Sequence, residues 1–225
     1  MKLGIVADVH CNIEGLRAAL ELMGPIDELI CAGDAVYQFR FSNDVLALLR
    51  ERDARYILGN HERVLLGPWG EAARSSASVQ GDLLDYMAGQ SYHLETQVNG
   101  RKLVLVHGSP FDPHDEYLYP NSPNLRKLAQ IEADFIVLGH THYHMAEQVG
   151  GALVINPGSA GESRDHRNGF RLSCAVLDTQ SGEVTFHHYD DPTRPKVDPA
   201  IIPQATLRPA QGGAQREYRQ PDPPA

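Results

Sequence analysis

Five apolar runs in this chain each end on residues able to hold a divalent metal ion. "LGIVA" (3–7) runs into Asp8, with His10 two residues further on. "LICAG" (29–33) ends at Asp34, "YILG" (56–59) at Asn60 and His61, and "LVLV" (103–106) at His107. "FIVLG" (135–139) leads into His140 and, two residues on, His142. Imidazole and carboxylate are poor choices for a packed strand and good metal ligands. The set is too large for one tetrahedral zinc, which takes three or four ligands. It suits two divalent ions sharing one bridging carboxylate, and mixed His and carboxylate ligation is compatible with Mn2+, Fe2+ or Zn2+.

For five strand ends to meet, the strands must share an orientation. In open α/β sheets the ligand crevice lies outside the carboxyl ends of the strands. In extended backbone, residues two apart point to the same side, which predicts Asp8 beside His10 and His140 beside His142. His144 continues the alternation and reads as a strand residue near the site rather than a ligand. His187 and His188 read as structural, and Cys11 as an ordinary neighbour of His10.

The elements around these ends follow from periodicity. Strands are expected over 2–7, 27–33 and 54–59, with helices over 12–23 and 42–52 between them, Ser42 being the N-cap of the second. A mixed helical region follows over 62–90, broken at "GPWG" (67–70). Asn99-Gly100 between "HLETQV" and "KLVLVHG" is a hairpin signal. A proline-containing loop (109–123) leads to a helix near 124–132 and the strand that carries His140 and His142. Gly150-Gly151 and Ser181-Gly182 mark two further hairpins. Alternation in the first half and hairpins in the second predict an α/β layered fold with one mostly parallel sheet and one more antiparallel sheet. The composition changes near residue 190: eight of the fifteen prolines lie beyond it. The expectation is a domain over 1–190 and a proline-rich, flexible tail over 191–225.

Charge and cysteine usage narrow the class. A formal charge of −9 argues against broad affinity for nucleic acid or an anionic membrane. Three separated cysteines read as reduced thiols. No apolar run approaches membrane-spanning length and no signal peptide is evident, so a cytoplasmic protein is expected.

"DVH" (8–10), "GD" (33–34), "GNHE" (59–62), "HG" (107–108) and "GHTH" (139–142) together resemble, in order and spacing, the signature of the calcineurin-like metallophosphoesterases. "INPGS" (155–159) with Arg164 behind it resembles the segment that follows in the small bacterial single-domain branch. The resemblance covers residues 1 to about 165. It implies a four-layer αββα sandwich of two mixed sheets flanked by helices. It also implies one metal on Asp8, His10, Asp34 and His142 and a second on Asp34, Asn60, His107 and His140, with Asp34 as the bridge. Mn2+ is the expected ion, with Fe2+, Zn2+ or Ni2+ as alternatives.

His61 would not bind metal; it would protonate the leaving oxygen after attack by a bridging hydroxide on phosphorus. Arg164 is the candidate phosphate clamp, since guanidinium matches phosphate oxygens. Phosphoprotein phosphatases of this superfamily carry a GDxxDRG block. Here it reads "GDAVYQF" (33–39), with Tyr37 in place of the second Asp and no Arg after it. The expected activity is therefore a phosphodiesterase acting on small or nucleotide-like substrates. A phosphomonoesterase, phosphoprotein phosphatase or dinucleoside-polyphosphate hydrolase is the alternative within this chemistry, and a non-catalytic scaffold is the alternative outside it. Specificity is expected from the 37–42 loop, the 67–80 region and the 109–123 loop.

Overall fold

The computed structural model describes residues 1–194; the tail expected from 191 onward lies, beyond Arg194, outside the described residues. Two five-stranded mixed sheets face each other. In the first, β1 (Lys2–Val6), β2 (Glu28–Cys31) and β3 (Arg55–Tyr56) run parallel. On the other side of β1, β9 (Leu172–Asp178) pairs antiparallel to β1 and β10 (Val184–Tyr189) antiparallel to β9, giving the order β10-β9-β1-β2-β3. The second sheet has the order β4-β5-β6-β8-β7. Its strands are β4 (His93–Val98), β5 (Arg101–Val106), β6 (Phe135–Val137), β7 (His144–Val149) and β8 (Ala152–Pro157), with β5, β6 and β8 parallel. The expected Asn99-Gly100 hairpin joins β4 to β5, with φ of 50° and 74°, as a primed turn requires.

Strand alternation divides the core into three layers. Leu3, Ile5 and Ala7 of the first sheet meet Leu105, Phe135 and Val137 of the second in a buried inter-sheet cluster. On the outer face of the first sheet, Val6 and Cys31 pack against α1 (Ile13–Met23), α2 (Asn43–Glu51) and α5 (Gly81–Ala88) through Leu16, Leu46 and Met87. Asn12 caps α1 by accepting a hydrogen bond from Gly15 N–H at 2.8 Å, and Ser42 caps α2. The outer face of the second sheet, carrying Val104, Val106 and Ile136, is covered by Leu118, Leu125 and Leu128.

Two local expectations change. The segment expected as a helix near 124–132 is a 3-10 helix, Pro123–Gln130. Three residues per turn align Leu125 and Leu128 on one face, which is what covering a flat sheet needs. The 62–90 region is not one helix: α3 (Asn60–Leu66) stops at Gly67, because Pro68 forces the residue before it into extended backbone. A short α4 (Glu71–Arg74) and then α5 follow. Among the described residues no helix is long and apolar enough to cross a membrane.

Candidate metal centre

The strand ends do converge, but not through extended backbone. Asp8 (φ 52°), His10 (48°), Asp34 (53°), His140 (69°) and His142 (58°) all sit in the left-handed region. They make up five of the nine non-glycine residues with positive φ among those described. Such residues cost roughly 1–3 kcal/mol each and cluster at functional sites. The inter-sheet core beneath them offsets this, since each large side chain fully buried there contributes about 1.5–3 kcal/mol. The turns are fixed by hydrogen bonds that prolong the β1–β2 pairing past the strands: Asp8 N–H to Gly33 O, His10 N–H to Asp34 O and Cys11 N–H to Ala35 O, all at 3.0 Å. Because these residues are not extended, His140 and His142 do not share a side. They point into different halves of the site.

The first half holds Asp8, His10 and His142. Asp8 Oδ1 lies 3.2 Å from His142 Nε2, and His142 Nε2 lies 3.2 Å from His10 Nε2. Asp8 Oδ1 and His10 Nε2 lie 3.9 Å apart, so two of the three pairs have the spacing of about 3–3.4 Å expected for donor atoms about 2.1 Å from one ion, and the third is wider. His142 Nδ1 is bonded to Glu162 O, which leaves Nε2 for the cluster. The second half holds Asp34, His107 and His140. Asp34 Oδ2 lies 3.2 Å from His107 Nε2, and Asn60 Oδ1 lies 3.1 Å from the same nitrogen. His107 Nδ1 is fixed by Ala32 O at 2.7 Å. A third, overlapping set of His10, Asp34 and His61 puts Asp34 between the halves. Asp8 Oδ1 and His140 Nε2 are buried and have no hydrogen-bond partner.

Electrostatics follow the same division. Burial lowers both His10 and His140 to about 4, so each is neutral at pH 7 with a lone pair free. Burial also works against a charged His107, but Asp34, by charge and by direct hydrogen bond, lifts it to about 10. The cluster is a sink for positive charge.

His61 stands at the edge of this cluster, in α3. Its Nδ1 accepts Gln38 N–H at 3.2 Å, so the ring proton belongs on Nε2, which faces Asp34 Oδ2 at 3.8 Å. Burial lowers its pKa. Tyr37 packs against both His10 and His61, with ring centroids 4.6 and 4.8 Å away.

Comparison with known proteins gives the family. Residues 1–182 match the family model described as a calcineurin-like phosphoesterase superfamily domain. The chain belongs to the calcineurin-like phosphoesterase superfamily. It is a metal-dependent phosphoesterase. It is 25% identical over 210 residues to the uncharacterized protein MJ0912 of Methanocaldococcus jannaschii, covering 81% of this chain and 84% of that one. It is also 25% identical over 188 residues to phosphodiesterase MJ0936 of the same organism, covering 81% of this chain and 96% of that one. A metallophosphoesterase crystal structure from Sphaerobacter thermophilus superposes with a TM-score of 0.67 at 26% identity, over 85% of this chain and 89% of that one.

Several residues of this phosphoesterase that position the cluster were not singled out from the sequence. Glu62 is completely buried, and its carboxylate accepts four hydrogen bonds. These come from Gly59 N–H (2.8 Å), Asp34 N–H (3.0 Å), Val36 N–H (3.1 Å) and Tyr56 O–H (2.8 Å). It ties the Asp34 turn to the start of the helix that carries Asn60 and His61. Burial, with Asp34 nearby, pushes its pKa up to about 7, and the donors pull the other way. A Glu three residues after a helix N-cap was the available signal. "INPGS" acts on two ligand loops. Asn156 Nδ2 donates to Gly139 O at 2.6 Å and to Thr141 Oγ1 at 3.1 Å, and Ser159 Oγ donates to Asp8 O at 2.8 Å. Two motif glycines are explained by contact: a Cβ on Gly59 would lie 2.2 Å from Asp34 Oδ1, and one on Gly33 2.7 Å from His107 Nδ1.

The remaining candidates lie at the mouth. Arg164 is 44% exposed and pairs with Glu162 Oε1 at 3.1 Å, while Glu162 Oε2 accepts Tyr37 O–H at 2.5 Å. Arg40 donates to His10 O at 2.8 Å. His144 turns away from the cluster and pairs with the buried Asp165 at 2.8 Å.

Proposed function

We propose that this protein is a dinuclear metal phosphodiesterase acting on small or nucleotide-like substrates. In this reading Asp8, His10, Asp34 and His142 hold one divalent ion, Asn60, His107 and His140 hold the second, and Asp34 is shared. The observation that carries it is the buried set of donor atoms without partners, Asp8 Oδ1 and His140 Nε2, aimed into a cluster around Asp34. A buried polar atom left unpaired costs about 1–3 kcal/mol, and a bound cation removes that cost at both. When bound, two such cations lower the pKa of a water and draw charge from the phosphoryl oxygens. Mn2+ fits this mixture of imidazole and carboxylate, as do Fe2+, Zn2+ and Ni2+.

The chain's own groups do the rest. The backbone hydrogen bonds of Glu62, Asn156 and Ser159 hold the ligand turns rigid. His61, with its proton on Nε2, donates a hydrogen bond to the departing oxygen. Such assistance is typically worth about 10²–10⁴-fold. Arg164 exchanges its Glu162 partner for a phosphoryl oxygen.

The preference for diesters is supported by charge. A monoester dianion calls for more cationic side chains than the mouth offers, where Arg164 turns from Glu162 to a phosphoryl oxygen and Arg40 is held by His10 O. Tyr37 occupies the place of the aspartate of phosphoprotein phosphatases and contacts His61 with its ring alone. The name of the M. jannaschii phosphodiesterase points the same way. Three cysteines without disulfides suit the reducing cytoplasm as its location.

The deciding experiment compares Mn2+-loaded hydrolysis of bis-p-nitrophenyl phosphate and p-nitrophenyl phosphate, with bound metal counted. Faster diester turnover with two ions per chain is expected. Faster monoester turnover makes the protein a phosphatase. No turnover of either with two ions bound leaves an enzyme of narrow specificity or a scaffold.

A further inference from the structure

We infer that Tyr117 and Tyr119 form a stacking platform for a nucleobase of the substrate, beside the proposed metal centre. The inference rests on the phosphodiesterase reading above and names the substrate class it serves. The loop after β5 carries both rings. Tyr117 lies on His140, with ring centroids 3.8 Å apart and planes 27° from parallel. Tyr119 is nearly parallel to Tyr117, at 9° with centroids 6.2 Å apart. Tyr143 meets Tyr119 edge-on at 5.1 Å and 88°. It is itself held by His166 Nδ1, 2.9 Å from its hydroxyl, and by the Arg167 guanidinium 5.0 Å from its ring centroid.

The rings are presented rather than left loose. Leu118 between them is buried in the outer core of the second sheet, and Tyr119 and Ser122 exchange hydrogen bonds of 2.8 and 2.9 Å. Yet Tyr117 and Tyr119 remain 46% and 39% exposed. Two tyrosines two residues apart, anchored by the leucine between them, present flat apolar surface that the fold itself does not cover. Their position matters as much as their exposure. Tyr117 touches a proposed metal ligand, His140, and Tyr119 continues the parallel surface from it. A phosphoryl group at the metal centre, beside His140, therefore brings the next part of the molecule within reach of the tyrosines. A nucleoside supplies the planar π-face those rings match, and stacking on aromatic side chains tolerates any base.

The test uses two diesters with the same leaving group, thymidine 5′-(p-nitrophenyl phosphate) and methyl p-nitrophenyl phosphate, on the Mn2+-loaded full chain. The thymidine ester is expected to have a KM about 5- to 100-fold lower at similar kcat. Tyr119→Ala should erase that difference with the methyl ester unchanged, and Tyr119→Phe should keep it. Equal KM values for the two esters in the unaltered protein overturn the platform, as does a Tyr119→Ala variant that weakens both alike. If neither ester is hydrolysed, the catalytic reading fails, and calorimetric titration judges the platform on its own. Thymidine 5′-monophosphate binding more tightly than methyl phosphate, with the advantage lost in Tyr119→Ala, supports it, and equal binding overturns it.

Discussion

The floor of the site and its rim are built in opposite ways. On the floor, Asp8, His10, Asp34, His107, His140 and His142 are each at most 4% exposed. Their backbone or ring nitrogens are tied to carbonyls and carboxylates of neighbouring strand ends, as with Ala32 O on His107 and Asp8 Oδ2 accepting His140 N–H at 3.0 Å. On the rim, Arg164, Tyr117 and Tyr119 are between 39% and 46% exposed; Arg164 is held by the Glu162 carboxylate, Tyr117 lies on His140, and Tyr119 is tied to Ser122. The floor has one geometry enforced by the core. The rim side chains are open to solvent on one side, so substitutions there disturb the fold less than those on the floor. Catalytic power and substrate choice are thereby separable, and substitutions in the two regions should read out differently.

The largest effect belongs at the centre of the floor. Asp34→Asn removes the charge shared by both halves while keeping the side-chain shape. Turnover of bis-p-nitrophenyl phosphate should fall by about 10³-fold or more, with bound metal dropping below two per chain. Full metal content with near-native rate would show that Asp34 is not the shared ligand. His61→Ala comes next, at the edge of the floor. It should lower kcat about 10²-fold for a diester with a poor alkoxide leaving group, and much less for p-nitrophenolate, with both metals retained. An equal loss for the two leaving groups would remove His61 from proton donation and make it a substrate-positioning group.

Glu62 tests whether the floor's rigidity matters apart from its ligands. In Glu62→Gln an amide N–H replaces a carboxylate oxygen that now faces two donors, so at least one buried N–H loses its acceptor. The expected cost is about 2 kcal/mol, which lowers Tm by about 5 °C for a chain of this size. Metal affinity should weaken about 10–100-fold, because whichever oxygen becomes the amide, a backbone N–H of the Asp34 turn (Val36, or Asp34 with Gly59) loses its acceptor. Thermal denaturation and metal titration of the same variant separate the two consequences. Unchanged Tm with weakened metal binding would confine Glu62 to local alignment of Asp34.

The floor was more legible in the sequence than the rim, and for a physical reason. A ligand must stand at a strand end, so apolar runs followed by Asp or His mark it in one dimension; Asp8, Asp34, His107 and His140 were readable this way. What sequence could not supply was the backbone sign: taking "HTH" as extended placed His140 and His142 together, where left-handed turns send them apart. Glu62 was visible as part of "GNHE", but two of its four hydrogen bonds come from the distant Asp34–Val36 turn. The tyrosine pair was hidden because the 109–123 loop has no period. Its meaning depends on Leu118 pointing inward and on His140 arriving from a different strand.

Arg164 carries the smallest expected effect and sharpens the boundary between the two regions. Its bond to Glu162 is a partly exposed ion pair, worth about 0–1 kcal/mol, so releasing the guanidinium to a phosphoryl oxygen costs little. Arg164→Ala should therefore raise the diester KM by about 3- to 10-fold with kcat nearly unchanged. Glu162→Gln should move KM the other way, because the arginine is then unpaired while the Glu162 carbonyl that holds His142 is retained. Opposite signs in the two variants, read as KM against kcat at fixed ionic strength, would place Arg164 on the substrate. A rise in KM for both would mean that the Tyr37–Glu162–Arg164 chain shapes the mouth as a unit, and a change in kcat would draw the boundary of the floor outward to include it.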